Sequence, residues 1–282
     1  MKLPLLTALT MVAFAANSVL NRAAVGSGSI DPASFALIRV ISGVVILCVV
    51  LAVRGTPLPL LRRARVPGAL SLAVYMAGFS LSYVVLDAGL GALILFGVVQ
   101  ITMFGWGAAR GSAPTRRQMA GAGTAFAGLM LVLWPGPGSQ TDPLGALLMV
   151  AAGLGWAIYT ISGRSEPDPL PATAANFVLC LPVLAVFLVN PDMFARPFGI
   201  ALAVVSGAVT SGLGYALWYA VLPRLAQATA AVVQLSVPII AIIAGAVLLG
   251  EPISALMVVA AALVLGGIAW AVTAPRHAKP GT

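Results

Sequence analysis

Long apolar runs, broken by short clusters of Gly, Pro and charge, recur along the whole chain. A helix needs about 20 apolar residues to cross a hydrocarbon core. Ten runs approach that length, at roughly 3–24, 33–53, 66–86, 89–109, 118–134, 143–162, 171–189, 198–221, 226–249 and 254–274. The connections between them are too short for a soluble domain, so the pattern predicts an all-α integral membrane protein of ten transmembrane helices. The first run, behind Met1-Lys2 and reaching Ala15-Ala16, has the outline of a secretory signal. It stays apolar to Val25, and its relative at Ala146–Arg164 lies mid-chain, so it reads as a retained helix.

Composition agrees with the pattern. Of 282 residues, 61% are hydrophobic and only 8% charged, against about 25% charged in a soluble domain. The net charge of +8 does not point to nucleic acid, because the arginines lie between apolar runs and form no basic face interleaved with aromatics. With both termini on one side, that side holds Lys2, Arg54, Arg62, Arg63, Arg65, Arg110, Arg116, Arg117, Arg164, Arg224, Arg276 and Lys279. The other side keeps Arg22 and Arg196, with Asp31, Asp87, Asp142, Asp192 and Glu251. Basic residues accumulate in cytoplasmic loops, so both termini are expected in the cytoplasm. Cys48 and Cys180 lie inside apolar runs and His277 in the tail. That leaves no zinc or haem constellation, no disulfide and no phosphate loop, and no cofactor is implied.

The two halves repeat. Phe14-Ala-Ala-Asn-Ser-Val-Leu-Asn-Arg22 lies over Trp156-Ala-Ile-Tyr-Thr-Ile-Ser-Gly-Arg164, an offset of 142. Phe79-Ser-Leu-Ser-Tyr-Val-Val-Leu86 lies over Tyr215-Ala-Leu-Trp-Tyr-Ala-Val-Leu222 at 136, and Gly128 falls near Gly266 at 138. Two five-helix units are expected, 1–137 and 138–282. Five is odd, so the second enters the membrane from the opposite face, an inverted-topology repeat suited to alternating access around a midplane site.

The aromatic-Ala-x-x-[Ser/Thr] segments that close spans 1 and 6 with Arg22 and Arg164 are one part of a larger set. Phe35-Ala-Leu-Ile-Arg39 opens span 2, and Leu235-Ser-Val-Pro238 precedes Leu248-Leu-Gly-Glu-Pro252. Individually weak and specific in combination, these resemble the drug/metabolite transporter superfamily, EamA type, over almost the whole chain, with the nearest likeness to its aromatic amino-acid exporters. Thr102 and Thr115 stand where Pro238 and Glu251 align, so the first half is diverged. The resemblance implies a ten-helix carrier exporting small metabolites, with spans 1, 3, 4, 6, 8 and 9 around a central cavity.

Candidate chemistry is sparse. No carboxylate lies near the middle of a span, which disfavours intramembrane aspartyl proteolysis and a carboxylate proton relay. With no histidine outside the tail, serine hydrolysis is disfavoured too. An enzyme is not expected, and facilitated export is. Arg39 is the one cation well inside a span, about 9 Å below the outer boundary at 1.5 Å per residue. It either snorkels, bonds neighbouring carbonyls, or faces a substrate carboxylate. Tyr75, Phe79 and Tyr83 form an i, i+4, i+8 stripe; Tyr215, Trp218 and Tyr219 repeat it, and Phe14, Trp156 and Tyr159 add rings. Tyr83 and Tyr219 suit an interfacial belt, whereas Phe14, Tyr75 and Phe79 lie near mid-span and serve either packing or a cavity. Asn17, Gln100, Asn176 and Gln234 are amides at membrane depth that must be hydrogen-bonded. The expected substrate-binding set is Phe14, Asn17, Tyr75, Phe79, Tyr83, Gln100, Trp156, Tyr159, Tyr215, Trp218 and Gln234. Rings with a few amides suit an amphipathic, partly aromatic solute. Gly78-x-x-x-Ser82, Gly105-x-x-x-Ala109 and Gly207-x-x-x-Ser211 permit close helix approach, and Pro182, Pro238, Gly212 and Gly214 are expected kinks or loose points. The expected function is export of amino acids, aromatic ones preferred, or related metabolites. The partners are then a small-molecule substrate and membrane lipid. A nucleotide sugar, a cationic drug, or a membrane scaffold without transport are the alternatives.

Overall fold

The computed structural model describes residues 3–63, 65–110, 115–133, 141–163, 166–188, 191–221, 224–225 and 233–273. Arg164, His277, residues 226–232 of the ninth expected span and the side chain of Tyr219 lie outside this description. The helices are α1 (Leu3–Val25), α2 (Pro32–Val53), α3 (Arg65–Ser82), α4 (Ala88–Ala109), α5 (Arg116–Leu133), α6 (Pro143–Gly163) and α7 (Pro169–Leu188). After them come α8 (Pro197–Val205), a π segment (Ser206–Leu213), α9 (Gly214–Val221), α10 (Ser236–Leu249) and α11 (Ala255–Val272). α8, the π segment and α9 run on as one rod.

Seven helices, with Pro197–Trp218 taken as one, are long and apolar enough to span a bilayer. α3 and α5, at 18 residues each, fall below that apolarity, and α10 has 14 residues. The chain is an all-α integral membrane protein. Local signals set the boundaries. Asp31 caps α2 by accepting from the Ser34 amide, with Pro32 in the first turn, where no donor is needed. Thr115 and Gln118 form a reciprocal capping box on α5, and Ser254 caps α11. Gly250 ends α10 at φ +70°. The third span stops at Ser82 rather than near residue 86, because the chain turns there. Pro238 sits in the first turn of α10 just past a turn at Leu235, so it helps to break the ninth rod rather than bend it mid-length.

Close crossings use glycine selectively. A side chain at Gly78 would meet the Leu148 carbonyl at 2.6 Å, and one at Gly155 the Ser71 carbonyl at 2.7 Å, so α3 and α6 touch backbone to backbone. At Gly207 it would run into the Arg39 carbonyl and Ser42 hydroxyl of α2. Gly105, expected to pack, faces open space.

Burial repeats between the halves with small changes of offset. Thr7, Thr10, Met11, Phe14, Ala15 and Asn17 correspond at 142 to Met149, Ala152, Gly153, Trp156, Ala157 and Tyr159, all buried. Arg39, Val40, Gly43 and Leu47 correspond at 137 to buried Asn176, Phe177, Cys180 and Leu184. Gly121, Ala125, Gly128, Leu129 and Val132 correspond at 139 to Ala260, Val264, Gly267, Ile268 and Ala271. Gly128 thus pairs with Gly267, not Gly266, which faces open space. The same step matches Thr115 with Ser254, not Glu251. In the rod, Gly68, Ser71, Leu72, Tyr75 and Met76 correspond at 135 to Ala203, Ser206, Gly207, Thr210 and Ser211. Gly78, Phe79 and Ser82 then correspond at 136 to Gly214, Tyr215 and Trp218. The π segment absorbs the one extra residue, since a π turn is wider than an α turn.

Candidate functional site

α1, α3, α6 and the π–α9 rod bring the expected rings into a single assembly. Trp156 is its hub, with ring centroids 4.9 Å from Tyr75, 4.9 Å from Tyr215, 5.5 Å from Tyr159 and 6.2 Å from Phe14. Phe14 reaches Tyr215 at 5.8 Å and Trp218 at 5.9 Å. The stripe of α3 continues from Tyr75 to Phe79 at 5.2 Å and on to Tyr83 at 4.8 Å. All eight rings are buried. The contacts are mostly tilted or edge-on, the arrangements that aromatic quadrupoles favour. Tyr83 is not an interfacial belt residue: α3 ends just before it, its ring turns inward against Gly91, and its hydroxyl donates to the Ala88 carbonyl at 3.4 Å. Phe177, 5.8 Å from Tyr215, is a ring the sequence reading passed over; its place at the Val40 position of the repeat is the signal that would have found it.

Polar groups gather on one flank of the rings. The Asn17 Oδ1 accepts from the hydroxyls of Ser206 at 2.9 Å, Thr210 at 2.5 Å and Ser211 at 3.2 Å, all on the π segment. Arg39 donates from Nε to the Ser211 hydroxyl at 2.9 Å and from Nη2 to the Tyr75 hydroxyl at 3.0 Å. Its guanidinium lies 4.9 Å from the Phe79 ring centroid and 5.3 Å from that of Tyr75. Arg39 is fully buried, so it does not snorkel, and its Nη1 has no partner. Among the described residues no carboxylate lies within ion-pair distance of it. Removing a guanidinium from water costs several kcal/mol, and ring faces and neutral oxygens offset only part of that. Gln100 is half-buried on α4 outside this group, Gln234 is half-buried ahead of α10, and buried Asn176 packs against Gly68. A cleft of about 10 Å³, no larger than a water, is lined by Tyr159, Thr173, Asn176 and Glu166.

The two ends are held differently. At the Arg22 end, Arg22 pairs with Asp87 and Glu251, each at 3.4 Å, and donates to the Tyr83 and Val84 carbonyls. Both Glu251 oxygens accept from the Ala88 amide at 2.9 Å, at the start of α4. Gly245 leaves the room that this carboxylate occupies. Burial raises the Glu251 pKa above the ordinary glutamate value, only partly opposed by the Ala88 amide and Arg22. At the opposite end, Arg65 pairs with Glu166 at 2.8 Å. Among the described residues no cluster of potential metal ligands occurs.

An apolar bundle of this length and composition defines a polytopic membrane protein, and comparison with known proteins specifies its class. The EamA-like transporter family matches residues 143–273, which cover α6 to α11. An uncharacterised protein of Pseudomonas aeruginosa is 46% identical over 96% of this chain and 94% of its own length. A threonine/homoserine exporter of Salmonella typhimurium is 31% identical over 43% of each chain. A solved crystal structure overlays on 95% of this chain and 98% of its own with a TM-score of 0.66 at 18% identity, a likeness of fold. The chain belongs to the EamA-like transporter family of the drug/metabolite transporter superfamily. It is a membrane transporter rather than an enzyme.

Proposed function

We propose that this protein exports amino acids, aromatic ones preferred, and related small metabolites from the cytoplasm by alternating access. The observation that carries the reading is the ring assembly: Phe14, Tyr75 and Phe79 from the first half meet Trp156, Tyr159, Tyr215 and Trp218 from the second, with Asn17 beside them. A side chain with a ring stacks on such a lining, and the neighbouring hydroxyls and amide orient its polar end. The units 1–137 and 138–282 rock about this centre, with both termini in the cytoplasm and the chain in a bacterial inner membrane. The weight of arginine at the Arg65 end supports that orientation. Transport is facilitative: the described carboxylates lie at the ends of the bundle, and none of them is within ion-pair distance of Arg39.

Uptake of radiolabelled Phe, Trp, Thr and Leu into liposomes holding the purified protein tests the reading. Saturable flux without an imposed pH gradient, with Phe and Trp ahead of Thr and Leu, is the expected result. Thr ahead of Phe would give the protein the substrate named for its Salmonella relative and remove the aromatic preference. Flux only with the gradient would end the facilitative claim, and no flux of any of them would remove amino acids.

A further inference from the structure

Arg39 is a cost that the ring assembly does not explain. The matching position of the second half holds neutral Asn176, so this place in the packing does not demand a cation. Two bonds, to Ser211 and Tyr75, fix the guanidinium plane and leave one edge free at Nη1. Ser211 is itself held by Asn17. Close by, the hydroxyl of Tyr215 is also buried and makes no well-formed hydrogen bond; its polar neighbour is the Tyr75 hydroxyl, which already accepts from Arg39. Both orphan groups are donors, and buried donors left unpaired are unfavourable. Acceptors of opposite charge would satisfy both at once, and among the described residues none is at hand.

We infer that Arg39 Nη1 and Tyr215 Oη form an anion seat that takes the carboxylate of the transported solute, while the rings of Trp156 and Phe14 hold its body. The π segment is what builds the seat, since its wide turn presents Ser206, Thr210 and Ser211 toward Asn17 and so sets Ser211 against Arg39. The substrate class is then carboxylates, and a free amine is no requirement of this site. The inference rests on the amino-acid reading for its choice of solute, and the two fail separately.

The test is thermal unfolding of the purified protein in detergent with three probes that share a ring: phenylalanine, phenylacetate and phenylethylamine. Phenylalanine and phenylacetate are expected to raise the midpoint, with phenylethylamine needing at least tenfold higher concentration for the same shift. The Tyr215→Phe variant keeps the ring and removes one donor. It is expected to weaken both carboxylates several-fold and to leave the amine unchanged. Arg39→Gln is expected to weaken them tenfold or more. If Arg39→Gln does not fold, the wild-type probe order and Tyr215→Phe still decide. Equal action of phenylethylamine and phenylacetate, or equal weakening of all three probes by Tyr215→Phe, overturns the seat. Stabilisation by phenylacetate without phenylalanine supports the seat and removes the amino-acid reading. Stabilisation by phenylalanine and the amine alike removes the seat and leaves that reading. Stabilisation by none of the three overturns both.

Discussion

Positions 39 and 176 occupy the same place in the burial pattern of α2 and α7, yet one holds a fully buried arginine and the other an asparagine. The same contrast runs through the molecule. Phe14 faces Trp156 across the repeat, Asn17 faces Tyr159, and Phe79 faces Tyr215. Asp31-Pro32 before α2 and Asp168-Pro169 before α7, by comparison, are the same dipeptide. The dipeptide that starts α2 and α7 is the same in both halves, whereas residues at the centre, and close crossings such as Gly207 against Leu72, differ. On the proposed reading of two repeated units, the shared positions supply the frame and the proposed chemistry sits where the copies differ.

Crossings give the largest way to break that comparison. Gly207→Val drives a side chain into the Arg39 carbonyl, a backbone atom that cannot yield. It is expected to abolish a monodisperse folded peak on size-exclusion chromatography in detergent. Leu72→Val, at the matching place on α3, removes one buried methylene and costs about 1 kcal/mol. Next come the rings. Trp156→Ala is expected to cost about 4 kcal/mol and Phe14→Ala about 3 kcal/mol, read from thermal unfolding with solute absent. A larger loss for Phe14 would place the hub in the first half. Smaller still is Glu251→Ser, which copies Ser112, the residue the α5/α11 offset sets in that place. It removes the acceptor of the Ala88 amide and a partner of Arg22. The expected loss is about 1–2 kcal/mol in unfolding, with faster proteolysis at the Arg22 end. The least effect is one of pH. Because burial holds the Glu251 pKa above its ordinary value, protonation favours the folded chain. Stability from this group is full below the ordinary glutamate pKa and falls as pH climbs through the raised one. Comparison of wild type with Glu251→Gln over that window should show the decline in wild type alone.

Spans and rings were legible in the sequence because both depend on local pattern. Apolar length marks a membrane helix, and a ring every fourth residue marks a helix face, so the eight expected rings could be written down before their contacts were known. What was not legible is contact between distant parts. Arg39 meets Ser211 172 residues away, and Asn17 meets Thr210 193 residues away. Nothing at either end of such a pair announces the other. Tyr83 was misjudged because its exposure depends on where α3 stops, and a four-residue error there turns a ring from lipid to core. The π segment did leave a trace, the unequal offsets between repeats, but a single-residue step is visible only once burial fixes the register. Asp31-Pro32 and Asp168-Pro169 could have been read directly and were missed.

The rings at the centre touch one another rather than stand apart around a space. A charge that crosses the membrane dissipates about 2.3 kcal/mol per 100 mV, so a carrier that admitted a thread of water while empty would short-circuit the gradients the cell maintains. On the proposed reading, the unloaded path is stopped by Trp156 and its neighbours, which lie in contact as tilted, stacked and edge-on pairs. The side chains proposed to receive the solute are therefore also the insulation of the membrane between cargoes, and an alanine among them would be felt first as leak.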